Sequence, residues 1–462
     1  AVQSIIEYAE FCGIQVAFVK APCMRTRKKG RMRSESGFRS CKKLNRLKRI
    51  FLMDNNGSNA AIRGKVHFIG IGGCSMNGLA QILRGRGFEV QGSDSTTSPF
   101  TKRLEELGIP VFIGHDPKNV EGCGTVIYSA AIKPDNPERV RARELGIPEI
   151  ERSVALGIIS RSYREVIGIA GCHGKTTITS MLALIAENGG LDATVHVGGM
   201  VDFLHGGIRL GSHDLFVTEA CEYVESFLTL HPTVVLINNI DNDHLDLTKS
   251  PDYYPADVHY DGLGCASFDL MHRGERLGRV TLHVPGQHNM LDAIAASAVA
   301  LEHGTDIQTV ITALARFRSV QRRFEYYGER NGVRVFHDYA HHPAEIRAAM
   351  DCALRTPHKK LFVVFQCNSF TRARTLFTEN VDCFRGADKV LVPDIYPGRE
   401  KDDGSVHARD MVAGINAQTN NAEYIPTFEQ INDYLLHNAA AGDIVLTLGS
   451  GDVYKQTKLF LQ

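Results

Sequence analysis

Gly171-Cys172-His173-Gly174-Lys175-Thr176-Thr177 follows the apolar run Val166-Ile167-Gly168-Ile169-Ala170 and precedes a helical pattern over 178–186. Glycines bounding such a turn let backbone N–H groups face an anion, the lysine reaches the outer phosphates, and a threonine hydroxyl can ligate Mg²⁺. The spacing is a shortened form of the common phosphate loop, because Ile169 stands where that form has its first glycine. The ligand implied is a nucleoside triphosphate. The bland alternative, a glycine-rich turn with an exposed lysine, gives no reason for a strand before it and a helix after it.

Three further clusters carry reactive side chains. Glu219 ends the run Leu215-Phe216-Val217-Thr218, and His244 lies in Asp243-His244-Leu245-Asp246, shortly after Val234-Val235-Leu236-Ile237. At the carboxyl edge of one parallel sheet, Thr176, Glu219 and His244 could hold divalent ions beside the phosphates. A lone loop histidine is more often merely hydrogen-bonded, but the neighbouring acids and the phosphate loop upstream reverse that preference. Asp243 and Asp246 are read as structural. Near the start, Gly70-Ile71-Gly72-Gly73-Cys74-Ser75 follows a strand and opens a helix, with Asp94 downstream and Ser75 where a third glycine is expected. That pattern would hold any nucleoside diphosphate. In the last third, Arg322-Arg323-Phe324-Glu325 precedes His337-Asp338-Tyr339-Ala340-His341-His342-Pro343. Arginine can clamp phosphate, aspartate can take ribose hydroxyls or an ion, and paired histidines can orient a substrate. Solvated charge is the alternative for the arginines.

Such side chains need platforms. From Lys65 onward, β-branched runs alternate with helical patterns, which implies parallel sheets covered on both faces. The chain reads as α/β, with three doubly wound, Rossmann-like domains over 61–160, 161–319 and 320–462, the middle one built around the phosphate loop. After Asp246 the pattern is irregular through Asp261, and a helix over 289–302 closes the middle domain. Residues 1–52 carry thirteen Lys or Arg against three Glu. With little periodicity there, residues 1–60 read as a disordered or spurious N-terminal extension; a basic arm for nucleic acid or an anionic surface is the alternative.

The 462 residues are 43% hydrophobic and 23% charged, an ordinary globular composition. No apolar run approaches the length of a membrane span, so no membrane is expected as a partner, and with the basic stretch read as a disordered or spurious extension no nucleic acid is expected either. The eleven cysteines include no Cys-x-x-Cys pair. That argues against a zinc site or a disulfide frame and fits reduced thiols inside a cell.

Taken in order, these motifs resemble the Mur ligases of peptidoglycan synthesis. Further matching segments are Tyr128-Ser129-Ala130-Ala131-Ile132, Asp135-Asn136-Pro137-Glu138, Glu219-Ala220-Cys221-Glu222, Pro285-Gly286-Gln287-His288-Asn289, and Asp394-Ile395-Tyr396 with Arg399-Glu400. His173 and the His-His-Pro run point to the alanine-adding branch. The resemblance covers the chain from about Lys65. It implies a bacterial, cytoplasmic, ATP-dependent carboxylate-amine ligase that joins L-alanine to UDP-N-acetylmuramate through an acyl phosphate. The first domain would bind the UDP-sugar through Gly70, Gly72, Gly73, Asp94 and Ser129. The loop residues Gly171, Cys172, His173, Gly174, Lys175, Thr176 and Thr177 would hold ATP, with Asn289 on adenine, Arg323 on phosphate and Asp338 on the nucleotide from the closing domain. Lys175 would stabilise transferring charge, Thr176 would hold one Mg²⁺, and Glu219 with His244 a second. His341 and Arg372 would serve the alanine end.

The chain departs from the family pattern in four places. Asp292 replaces an Asn, Cys367-Asn368 stands where Pro-His is common, and His337 replaces an acid. Only Leu247 to Asp252 separate the His-Leu-Asp segment from Tyr253-Tyr254-Pro255, where the family has several dozen residues. That gap removes a helix and a strand from the middle domain and uncovers apolar surface. A non-catalytic nucleotide-binding remnant is therefore a second reading. A ligase that attaches a preformed peptide is a third, and a nicotinamide oxidoreductase, which has no use for Lys175-Thr176, a fourth.

Overall fold

The computed structural model describes residues 62–171, 174–211, 214–220, 229–238, 252–318, 323–398, 400–402 and 404–462, together with the backbone of 15–18. Cys172, His173 and His244, along with the motif residues Arg322 and Arg399, lie outside the described residues. Two compact units are formed: one holds residues 62–166 with Ala220 and 229–233, the other the remaining described residues, 15–18 included.

The first unit is a five-stranded parallel sheet with Val66–Ile69 at its centre, Val90–Asp94 and Val111–Ile113 on one side, and Thr125–Tyr128 and Glu149–Glu151 on the other. The chain leaves the central strand towards one edge and returns on the opposite side. The carboxyl ends of Val66–Ile69 and Thr125–Tyr128 thus flank a topological switch point, where α/β sheets bind ligands. All four residues of Val66–Ile69 are buried, as a strand covered on both faces requires.

The second unit holds three sheets. In the six-stranded sheet around the phosphate loop, Glu165–Ala170 lies between Val234–Ile237 and Leu215–Glu219, so three carboxyl ends converge on one edge. The helix Lys175–Glu187 leaves that edge; its buried residues pack with those of Gln287–Glu302 and the sheet into one apolar core. The last sheet has the order Glu325–Arg330, Val333–Asp338, Ile444–Leu448, Leu361–Phe365, Lys389–Val392, Ala422–Tyr424, parallel except for its first strand.

Two expectations are corrected. The stretch read as irregular after Asp246 contains the strand Tyr253–Tyr260, the first of a three-stranded antiparallel meander with Cys265–His272 and Glu275–Pro285. Pro255 disguises it in the sequence, yet proline is tolerated on an edge strand, which is where it sits. Within the extension read as disordered or spurious, Gln15–Phe18 form a strand that pairs in parallel with Val234–Ile237. Four residues beside a basic tract carry too little periodicity to be seen.

Candidate active site

In the first unit the glycine turn is held by its own acid. Asp94 Oδ2 accepts from the Gly72 N–H at 2.8 Å, and a Cβ on Gly72 would lie 2.9 Å from that oxygen. Gly70 donates its N–H to the Ser93 carbonyl at 2.8 Å, and a Cβ there would meet Ser129 Cβ at 3.6 Å. Gly70, Gly72, Asp94 and Ser129 therefore share one sheet edge, with Gly73 as N-cap of the helix Cys74–Gly85. Behind them lies a polar network that sequence reasoning quoted only in part. Glu138, fully buried, accepts from Ser93 Oγ at 2.6 Å and Asn119 Nδ2 at 2.7 Å, and contacts His115 Nδ1 at 2.9 Å and His67 Nε2 at 3.3 Å. Burial pushes its carboxyl up, but the bonds from His67, Ser93 and Asn119 outweigh it and hold the group below the usual carboxylate range. Asn136 caps the helix Pro137–Glu144 that presents Glu138.

In the second unit, Gly174 caps the phosphate-loop helix at φ +82°, a left-handed conformation that favours glycine. Its missing Cβ also makes room, since a methyl there would collide with Asp292 Oδ1 and Asn238 Nδ2. Lys175 Nζ folds back to donate to the Gly171 carbonyl at 2.6 Å. Glu219 accepts from the Gly198 N–H at 2.7 Å. Burial drives its carboxyl upward, opposed by that N–H, the Thr176 hydroxyl and the charges of Lys175 and Arg323. An acid in that position gains from a nearby cation. Thr176 and Glu219 are hard oxygen donors that fit Mg²⁺, an ion that commonly takes one or two carboxylates with substrate phosphates and water. Among the described residues no group of three or more His, Cys, Asp or Glu forms a metal cluster.

Arg323 links this edge to the last sheet. It lies 3.5 Å from Glu345, and its charge is felt by Glu219, Asp292, Asp338 and His341. Asp338 ends the strand Val333–Asp338 and accepts from the Phe324 N–H and the Ala340 N–H, each at 2.7 Å. Burial pushes its carboxyl up to about 6 against the pull of Arg323. His341 Nδ1 contacts the Tyr339 carbonyl at 3.0 Å and Glu345 at 3.4 Å. Burial, with Arg372 and Arg323 adding to it, lowers its pKa and keeps the ring neutral. Arg372 is the third residue of the short helix Phe370–Thr375, and its N–H is received by Ser369 Oγ at 3.3 Å. Lys175, Thr176, Glu219, Arg323, Asp338, His341 and Arg372 are thus connected by charge or hydrogen bond. Asn289 is placed differently: buried, it donates from Nδ2 to the Pro285 carbonyl at 2.7 Å.

Sequence reasoning missed Glu345 and Asn238. Glu345 stands third in the helix Pro343–Arg355, where an acid after a proline start closes a capping box, and that was the available signal. Asn238 directly follows an apolar strand end. Of the departures, His337 bonds Thr447 Oγ1 at 2.9 Å inside the core, and burial pushes the Cys367 thiol up to about 12. Both are packing residues.

Sequence profiles of the Mur ligase family match twice: "Mur ligase family, catalytic domain" over residues 65–164 and "Mur ligase, glutamate ligase domain" over 322–451. A UDP-N-acetylmuramate–L-alanine ligase of Acetivibrio thermocellus is 38% identical over 447 aligned residues, covering 86% of this chain and 95% of the relative. The alignment is longer than the part of the chain it contains, so the relative carries several dozen residues with no counterpart here. The UDP-N-acetylmuramate-alanine ligase of Thermotoga maritima superposes with a TM-score of 0.70 at 25% identity, over 86% of this chain and 98% of that one. A murein peptide ligase of Psychrobacter arcticus shares the fold, with a TM-score of 0.61 at 22% identity, over 86% of this chain and 98% of that one.

Proposed function

The chain belongs to the Mur ligase family, and we propose that it performs the alanine-adding reaction with the phosphate-loop edge and the Arg323 cluster as its working parts. It is an ATP-dependent ligase that joins L-alanine to UDP-N-acetylmuramate in peptidoglycan synthesis. The observation that carries the mechanistic reading is Arg323, which sits within the electrostatic reach of Glu219 on one sheet and Asp338 on another.

The γ-phosphoryl of ATP passes to the muramoyl carboxylate, ADP departs, and the alanine amine attacks the acyl phosphate to give the amide and inorganic phosphate. Lys175 leaves the Gly171 carbonyl for the outer phosphates and, with Arg323, balances the charge that spreads over the transferring group. The N–H groups at the start of Lys175–Glu187 cradle the phosphates. Thr176 and Glu219 would hold Mg²⁺, which supplies charge neutralisation and a template for the phosphate oxygens. Neutral His341, fixed by Tyr339 and Glu345, can take a proton from the alanine ammonium, and Arg372 can hold the alanine carboxylate. In the first unit, the Gly70–Gly73 turn at a helix N-terminus suits the UDP diphosphate. The substrates place the reaction in the bacterial cytoplasm; no helix among the described residues is long and apolar enough to cross a membrane.

The test is phosphate release by the purified protein with UDP-N-acetylmuramate, ATP and Mg²⁺, with and without L-alanine. Alanine-dependent release is expected. ATP binding without such release would support the non-catalytic remnant, and release driven by a preformed tripeptide in place of alanine would move the protein to the peptide-adding branch.

A further inference from the structure

The strand Gln15–Phe18 occupies an edge of the six-stranded sheet, in parallel register with Val234–Ile237: Gln15 opposite Val234, Val16 opposite Val235, Ala17 opposite Leu236 and Phe18 opposite Ile237. The relative from Acetivibrio carries several dozen residues that this chain lacks, and the next described strand after Val234–Ile237, Tyr253–Tyr260, belongs to a different sheet. A strand following through a right-handed crossover most often lies beside the strand it follows. Val234–Ile237 is itself built as an interior strand. Val235, Leu236 and Ile237 are each 2% exposed or less, with none of the charge or proline that blunts natural edges. Left unpaired, its outer backbone groups would form a template for aggregation.

We infer that the N-terminal segment complements the ATP-binding lobe in cis, supplying the edge strand beside Val234–Ile237, a place that no later strand among the described residues takes. The dependence reaches the nucleotide site through one residue. Asn238 follows Ile237 directly, donates its N–H to the Ala170 carbonyl at 3.0 Å, and donates from Nδ2 to Asp292 Oδ1 at 2.8 Å, against Gly174 of the phosphate loop. A frayed Val234–Ile237 loosens that anchor. The nucleotide part of the inference rests on the ligase reading; the strand pairing does not.

The experiment uses the full chain with a specific protease site inserted after Gly30, cut after folding, and in parallel the double substitution Val16→Pro/Ala17→Pro, which removes backbone donors from the strand. In the cut protein the N-terminal fragment should co-elute with the body on gel filtration. In the proline variant the amides of Val234–Ile237 should exchange at least about tenfold faster, and the Kd for a non-hydrolysable ATP analogue should rise by a similar factor, with UDP-sugar affinity unchanged. If the proline variant fails to fold, the cut protein decides alone. A fragment that elutes free while the amide protection of Val234–Ile237 stays at its intact value overturns the inference. Retained pairing with no phosphate release upholds it and sinks the ligase reading instead.

Discussion

Asn238 Nδ2 donates to Asp292 Oδ1 at 2.8 Å, directly against the Cα of Gly174. The Asp292 carboxyl is buried and pushed up to about 8 by desolvation, with Asn238, Thr177 and Arg323 pulling the other way. It is therefore protonated in the folded protein at neutral pH. Because the folded pKa is above the unfolded one, the stability this group contributes is complete below about pH 4 and is lost as pH rises through about 8. Asp292→Asn keeps the acceptor and removes the ionisation. Urea midpoints at pH 6 and pH 9 should show the variant gaining on the parent at the higher pH, on the order of a few kcal/mol. A parallel pH dependence of the two proteins would show that Asp292 does not titrate in this range.

Lys175→Ala tests the division of labour between the units. Alanine-dependent phosphate release should fall by about 10²–10³-fold or more, as expected when a charge-stabilising donor is lost at the transferring phosphoryl group. UDP-N-acetylmuramate affinity, measured by calorimetry, should be unchanged. Equal loss of both would contradict separate sites for the two nucleotides.

Gly72→Ala is the complementary probe. The added methyl would sit 2.9 Å from both Asp94 Oδ2 and Thr101 Cγ2, so the turn must open and the Gly72–Asp94 bond lengthen. Affinity for the UDP-sugar should drop about tenfold or more, a loss of roughly one good hydrogen bond's worth of energy. Binding of an ATP analogue should be untouched; a variant with normal UDP-sugar affinity would remove this turn from the substrate site.

Much of this was legible because buried parallel strands are nearly continuous apolar runs. Leu215–Glu219 and Val234–Ile237 begin and end where the residue pattern places them, and both are largely buried. Glu219 and Asp338 end the strands Leu215–Glu219 and Val333–Asp338 and are singled out by the rule that chemistry collects at carboxyl ends. Asn238 and Glu345 were not legible, since their roles depend on which sheet edge and helix start they meet in three dimensions. Gln15–Phe18 falls in the stretch read as a disordered or spurious extension, because a strand so far from its partner in the chain has no local signature beyond four residues.

Glu345 is the last point of leverage. One of its oxygens accepts from the backbone N–H groups of His341 at 3.2 Å and His342 at 3.4 Å, while the other faces Arg323 at 3.5 Å. Burial raises its pKa, but His341, Arg323 and the two N–H groups outweigh that and hold it below the usual carboxylate range. A depressed folded pKa means the stability it contributes is present above the unfolded value, near pH 4.3, and is lost as pH falls through the folded one. Glu345→Gln should cost about 1–3 kcal/mol at pH 7 and flatten the acid limb of the stability curve. It also removes the charge that raises the pKa of His341 against burial, so the imidazole becomes still harder to protonate. If His341 is the group that relieves alanine of its proton, the acid limb of kcat/KM for alanine should move to lower pH, with KM for ATP little changed. An acid limb that stays in place while stability falls would leave Glu345 a helix cap and nothing more.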